Sequence, residues 1–164
     1  SFISGNVMTS RLNRNIRKRV GTTEFAIEQG DFMTSDDSWF RPVDIRLGPD
    51  GALYVADFYN KIIGHYEVPL PHPGRDRFRG RIWRIRYAPY DEAPQSAQLT
   101  LNKQSPEELT KLLSSSNPTV RHLALDEITD RCGASAAPPL LAALKSDSIH
   151  ARYLSMWGLH RTNA

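Results

Sequence analysis

Asp57, Tyr59, Asn60 and His65 follow directly on a short apolar run, and together they hold most of the chemistry that this chain of 164 residues could offer at one place. Loops set on a rigid scaffold are where proteins commonly present functional groups. Asp57 and Asn60 carry hard oxygens suited to Ca²⁺, so both are candidate metal ligands. His65 and His72 could bind a transition metal or act as a general base. None of the four has a diagnostic metal spacing. The alternative is structural, because Asp and Asn at a turn often close it by accepting hydrogen bonds from backbone N–H groups. A second charged group, Arg75, Asp76, Arg77, Arg79 and Arg81, lies in or beside a Pro/Gly-rich stretch. A guanidinium fork matches a carboxylate bidentately, which makes Arg75 and Arg81 candidates for holding an acidic ligand. The alternative is an Arg75–Asp76 ion pair that pins the loop. None of these residues is assigned a catalytic role.

The elements that must position these residues are legible. Val43, Ile45 and Leu47 alternate with Asp44 and Arg46, the period-two pattern of a strand with one buried face. Asp50-Gly51 supplies a tight turn, and Leu53 and Val55 resume the alternation until Ala56-Asp57 ends it. The two runs form a hairpin. Ile82, Trp83 and Ile85 predict a further strand, and the segment from Gly5 to Leu12 predicts one before the hairpin. Trp39, Trp83 and Trp157 are expected to pack in cores.

The second half changes period. Ser105-Pro-Glu-Glu108 is a capping box with Pro at the first helical position, followed by Leu109, Leu112 and Leu113 on a helical stripe. Asn117-Pro118 caps a second helix, with Val120, Leu123, Ala124 and Ile128 expected on its buried face. A shift of 31 residues carries Leu109 onto Leu140, Leu113 onto Leu144, Asn117 onto Ser148, Arg121 onto Arg152, Leu123 onto Leu154 and Ile128 onto Leu159. Such an internal period suits an α-solenoid of helix-turn-helix units. Two such units rarely stand alone, so the array is expected to continue. Tyr153, His150 and His160 are expected on an exposed face.

Charge is unevenly spread. Up to Arg86 there are fourteen Lys/Arg against ten Asp/Glu, and beyond it seven against eight, which gives the net charge of +3. The excess concentrates in Arg11, Arg14, Arg17, Lys18 and Arg19. A basic run can attract nucleic acid or an anionic surface, but no aromatic residues are interleaved here, which argues against binding of single strands. A solvated strand is the expectation, with no nucleic-acid partner. No apolar stretch is long enough to span a membrane, and the N-terminus does not read as a signal peptide. Cys132 stands alone, which excludes an internal disulfide framework.

The run Pro42-x-Asp44-x-x-x-Gly48-Pro-Asp-Gly-x-Leu-Tyr-Val-Ala-Asp57-x-x-Asn60 resembles the repeat of NHL-type and sugar-dehydrogenase-type propellers. Together with Ile63-Gly-His65, Arg75-Asp76 and Gly80-Arg-Ile-Trp-Arg-Ile85 it resembles the C-terminal end of the propeller in bacterial membrane-bound dehydrogenase-like proteins, also called PVC-type haem-binding proteins. The resemblance runs in order from about residue 1 to 160 and is most specific from Ser35 to Ile85. It implies a mixed fold, β then α. The closing strands of a six-bladed-type β-propeller would occupy residues 1–90, a linker 91–103, and HEAT-like repeats 104–164, the whole being a window on a larger secreted protein of the periplasm or cell exterior. It also implies quinoprotein-type oxidation of a sugar or related alcohol, with pyrroloquinoline quinone (PQQ) and Ca²⁺ as cofactors and a cytochrome c-like module of the same protein as electron acceptor. Asp57, Tyr59, Asn60, His65, Arg75 and Arg81 would line the cofactor side, with Asp57 and Asn60 on the metal. The base and most cofactor ligands would lie in earlier blades, and haem in a module outside this chain, which has no Cys-x-x-Cys-His. Arg121 and Arg152 match the arginine with which HEAT-type repeats hold neighbours together. The competing class is a non-catalytic scaffold that binds a glycan or protein.

Overall fold

The structure is a computed structural model that describes residues 1–64, 66–87 and 100–163. Antiparallel strands fill the first half and helices the second, in two compact units.

Seven strands make two sheets in the first unit. Strands β1 (Phe2–Asn6), β2 (Arg11–Val20) and β3 (Thr23–Glu28) pair in chain order, and the short β4 (Met33–Thr34) also pairs with β2. The segment expected as one strand, Gly5 to Leu12, is therefore two strands separated by a turn. Ser10 takes a left-handed φ of 53° in that turn, and the side-chain carbonyl of Asn6 accepts from the Met8 and Thr9 amides. Local side-chain bonds of this kind compete with extension and end a strand.

Strands β5 (Pro42–Leu47), β6 (Leu53–Asp57) and β7 (Arg81–Ile85) form the second sheet, also in chain order. The Asp50-Gly51 turn forms as expected, with Gly51 at φ 77° and the Gly48 amide donating to the Ala52 carbonyl at 2.7 Å. Register pairs Ile45 with Val55 and Val55 with Trp83, so these side chains share one face with Leu53 and Ile85. Val43 does not join them, because the register slips between Pro42 and Asp44. The irregularity turns Val43 outward, where it is 58% exposed.

The two sheets pack through Leu12, Phe40 and Val55, all fully buried, with Ile3, Met33, Ile45 and Ile85 around them. Gly5 is required at this contact. A Cβ there would stand 2.3 Å from the Pro42 carbonyl oxygen, well inside van der Waals distance. Beyond the packed region the β2–β3 hairpin runs on with Ile16, Val20, Phe25 and Ile27 exposed. Pairing of Ile16 with Ile27 and of Lys18 with Phe25 puts these apolar side chains on the face that carries Leu12, while Arg17 and Arg19 project from the other. Arg17, Lys18 and Arg19 are exposed, in keeping with a solvated strand.

The second unit opens with a 3₁₀ turn, Leu101–Lys103, whose Leu101 is buried in the helical core. Residues 91–99 of the expected linker lie outside the described residues; the helical unit already begins at its far end. Helix α1 (Pro106–Leu112) starts at the expected capping box. Ser105 accepts from the Glu108 amide, and the Glu108 carboxylate accepts from the Ser105 amide. Helix α2 (Pro118–Glu127) is capped by Asn117, α3 (Ala137–Ala143) follows a π turn at Ile128–Cys132, and α4 (Ile149–Arg161) is capped by Ser148. Leu109, Leu113, Ala124, Leu125, Ile128, Leu140, Ala151 and Leu154 form the core. Leu123, expected inside, is 40% exposed, and Leu125 is buried in its place. The buried stripe of α2 thus follows Val120, Arg121, Ala124, Leu125 and Ile128, the i, i+4, i+8 row and its neighbour.

Candidate functional site

Asp57 ends β6 with its side chain on the face shared with Val55 and beside Arg81 of β7. It is buried, and both carboxylate oxygens are occupied. One oxygen accepts from the backbone amides of Arg41 and Tyr59, each at 2.8 Å. The other accepts from Arg81 Nε at 2.7 Å and Trp83 Nε1 at 3.1 Å. An ionised carboxylate has about four acceptor sites. All four are taken here. Burial disfavours the charge, but the Arg41 amide, the Trp83 indole, Arg81 and the Tyr59 amide outweigh it and hold the carboxyl below its usual range.

The same carboxylate shapes the corner that follows. The bond to the Tyr59 amide closes an Asx turn and holds Tyr59 at φ 48°, a left-handed conformation costly for a residue with a Cβ. The Phe58 amide donates to the Arg41 carbonyl at 2.9 Å and the Asn60 amide to the Trp39 carbonyl at 3.0 Å, which locks the corner to the segment entering β5. Asn60 is 1% exposed. Its side-chain carbonyl accepts from the Ile62 amide at 3.2 Å, and its Nδ2 donates to the Asp76 carbonyl at 2.7 Å. Asn60 thereby ties the corner to the arginine-rich loop.

Arg81 lies at the centre of an aromatic group. Its guanidinium carbon stands 3.8 Å from the Tyr59 ring centre and 4.9 Å from that of Trp83, while Nη1 donates to Asp37 at 2.9 Å. Burial disfavours the charge on Arg81, but the bonds to Asp57 and Asp37 outweigh it and raise its pKa above the ordinary arginine value. Arg79 caps the Trp39 ring at 5.4 Å, Trp39 tilts against Tyr59 at 5.4 Å, and Trp83 meets Phe40 edge-on. Trp83 is therefore half core and half site. Trp157, also expected in a core, is 54% exposed on α4 and lies against His160.

Arg75 does not pair with Asp76. Its guanidinium is enclosed by the backbone carbonyls of Ile62, Gly64, Val68 and Pro69. Asp76 instead accepts from the Phe78 and Arg79 amides and pairs with the Arg79 side chain. The amide bonds of that turn bring residue 79 back over residue 76, whereas adjacent side chains diverge. His65 lies outside the described residues. The Gly74 amide donates to His72 Nδ1 at 3.0 Å, in a local turn.

This arrangement does not fit a Ca²⁺ ion on Asp57 and Asn60. A cation there would have to displace the Arg81 guanidinium or the backbone amides that already fill both Asp57 oxygens. Nor does Arg75 fit a carboxylate clamp, since its N–H groups point at backbone carbonyls. Among the described residues no three His, Cys, Asp or Glu side chains converge. What the corner can do is hold three strands and a loop in one rigid geometry while an arginine and aromatic surface faces outward. Sequence reasoning singled out Asp57, Asn60 and Arg81, which the structure brings into this one network. It did not place Asp37, Trp39 or Arg79 there, although the Asp37–Trp39 pair precedes the strand at a fixed short distance.

The arginines of the helical unit form a second, repeated feature. Arg121 Nη1 donates to the Ser115 and Ser116 carbonyls at 2.6 and 3.2 Å, and Arg152 Nη1 to the Ser146 and Asp147 carbonyls at 2.8 and 3.1 Å. The offsets, five and six residues back, are identical in both. Each arginine closes the loop of its own helix pair rather than bridging to the neighbour.

A family profile described as a domain of unknown function, DUF7133, matches residues 5–89. The chain belongs to the DUF7133 family. The DUF7133 stretch runs from the end of β1 through β7, covers the whole Asp57 network and ends before the helices. No curated protein and no solved structure matches the chain. Among the described residues of this DUF7133 protein no helix is long and apolar enough to cross a membrane.

Proposed function

We infer that this DUF7133 chain is a non-catalytic binding module, in which propeller-type sheets present a rigid rim and HEAT-like helix pairs extend the surface. The observation that carries this reading is the use of Asp57. Its buried carboxylate spends every lone pair on internal donors, and Arg75 spends its guanidinium on backbone carbonyls. A catalytic or cofactor-holding group needs spare valence toward a substrate. These residues keep theirs for the fold.

Quinoprotein-type oxidation is the competing reading, supported by the resemblance of residues 35–85 to sugar-dehydrogenase propellers. The deciding experiment is a titration of the natural full-length protein with PQQ and Ca²⁺, following dye reduction over a panel of sugars and alcohols, because the dehydrogenase reading places its base and most cofactor ligands outside these residues. The binding-module reading expects no cofactor-dependent reduction. Turnover with any substrate, lost in Arg81→Ala but retained in Arg152→Ala, would replace it with the dehydrogenase reading.

A further inference from the structure

The face of the arginine-rich loop that meets Trp39 encloses an open pocket of about 450 Å³. Its lining carries three cations, Lys61, Arg75 and Arg79, against one carboxylate, Asp76. Arg79 neutralises Asp76, and Arg75, though hydrogen-bonded, meets only uncharged carbonyls. Lys61 is exposed and has no ion-pair partner among the described residues. The pocket is therefore net positive, with Lys61 as the cation free to meet a ligand. Two aromatic side chains complete it. Trp39 is held by Tyr59 and Arg79 and forms a fixed wall. Phe78 is 96% exposed and offers its ring to whatever enters.

We propose that this pocket binds a saccharide bearing a carboxylate, with an apolar ring face on Phe78 and the carboxylate at Lys61. The proposal rests on the binding-module reading and names its ligand class. An exposed aromatic ring at the mouth selects an apolar ring face, and net positive charge selects an acid. The pocket is open to water, which suits a hydroxylated ligand better than an apolar one, because hydroxyls that stay solvated incur no desolvation. Its size fits one or two sugar rings. A nucleic acid would call for a row of cations tracking successive phosphates, with stacking rings between them. The cations here are gathered around one cavity.

The test uses the full chain and calorimetric titration with digalacturonate, against cellobiose as the neutral control and AMP as the phosphate control. Saturable digalacturonate binding is expected, weaker in higher salt and reduced about tenfold by Lys61→Ala, the loss of one charge-assisted contact. Phe78→Ala should weaken digalacturonate as well, and since both side chains are exposed, circular dichroism should show an unchanged fold. Equal affinity for cellobiose, tighter binding of AMP, or indifference to Lys61→Ala would overturn the proposal. So would the absence of digalacturonate binding by the folded chain. That last result, without dye reduction, would leave the binding-module reading standing, whereas dye reduction would remove that reading whatever digalacturonate does.

Discussion

Asp57 accepts four hydrogen bonds from three separate stretches of chain, and its replacement should be felt at all of them. Asp57→Asn keeps the shape but turns an amide N–H toward donors and leaves Arg81 without its buried counter-charge. A loss of about 3 kcal/mol is expected, in the range for breaking a buried pair on one side, and denaturant unfolding followed by tryptophan fluorescence would measure it. The pH dependence follows from the same group. Its carboxyl titrates below the usual range in the folded protein, so its contribution is present in full above the unfolded value of about 4 and is lost as pH falls through the lower, folded value. The sheets should therefore lose stability in acid below about pH 4. In Asp57→Asn that slope should flatten, though Asp37 and Asp76, also lowered, keep part of it.

At the scale of elements, close approach decides. Gly5→Ala would press a methyl group into the Pro42 carbonyl and force the first strand away from the second sheet. An overpacking cost of about 2 kcal/mol is expected, with a fall in unfolding midpoint and no change in helical circular dichroism. The repeated arginine clamp gives a paired comparison. Arg121 is buried and Arg152 exposed, so Arg121→Ala should cost about 2 kcal/mol and Arg152→Ala less than about 1, readable as two shifts of the helical melting curve. The Asp-Gly turn, both helix N-caps and the 31-residue period were legible, because each is written in a few adjacent residues or a strict spacing. The outward turn of Val43 was not, since a bulge shifts register without changing composition. Nor was the exchange of Leu123 for Leu125, as both fit a 3.6-residue period and only the neighbouring helices choose between them. The Asp57 network was half legible. Its members on β6 and β7 stand out as polar residues at strand ends, but Asp37, Trp39 and Arg79 reach it through turns whose geometry no period encodes.

For the whole molecule, the exposed apolar surface sets behaviour in solution. Ile16, Val20, Phe25 and Ile27 continue the core-facing side of the β2–β3 hairpin into solvent, and long exposed apolar strands invite association. Phe25→Glu, opposite Lys18, together with Ile27→Glu should reduce concentration-dependent light scattering and dye binding while leaving the unfolding free energy within about 0.5 kcal/mol, as expected for surface changes. An unchanged scattering profile would place the association elsewhere.

The four donors to Asp57 also bear on how the second sheet comes together. The Arg41 amide precedes β5, the Tyr59 amide follows β6, and Arg81 and Trp83 belong to β7. A β5–β6 hairpin formed alone would supply only two of the four donors and leave the second carboxylate oxygen to water, so it lacks the charge-assisted bonds that β7 adds. The third strand thus acts as a licence for the first two. Partly assembled forms of this sheet should be short-lived, and the sheet should assemble and dissolve as one event, with a single buried charge policing its completeness.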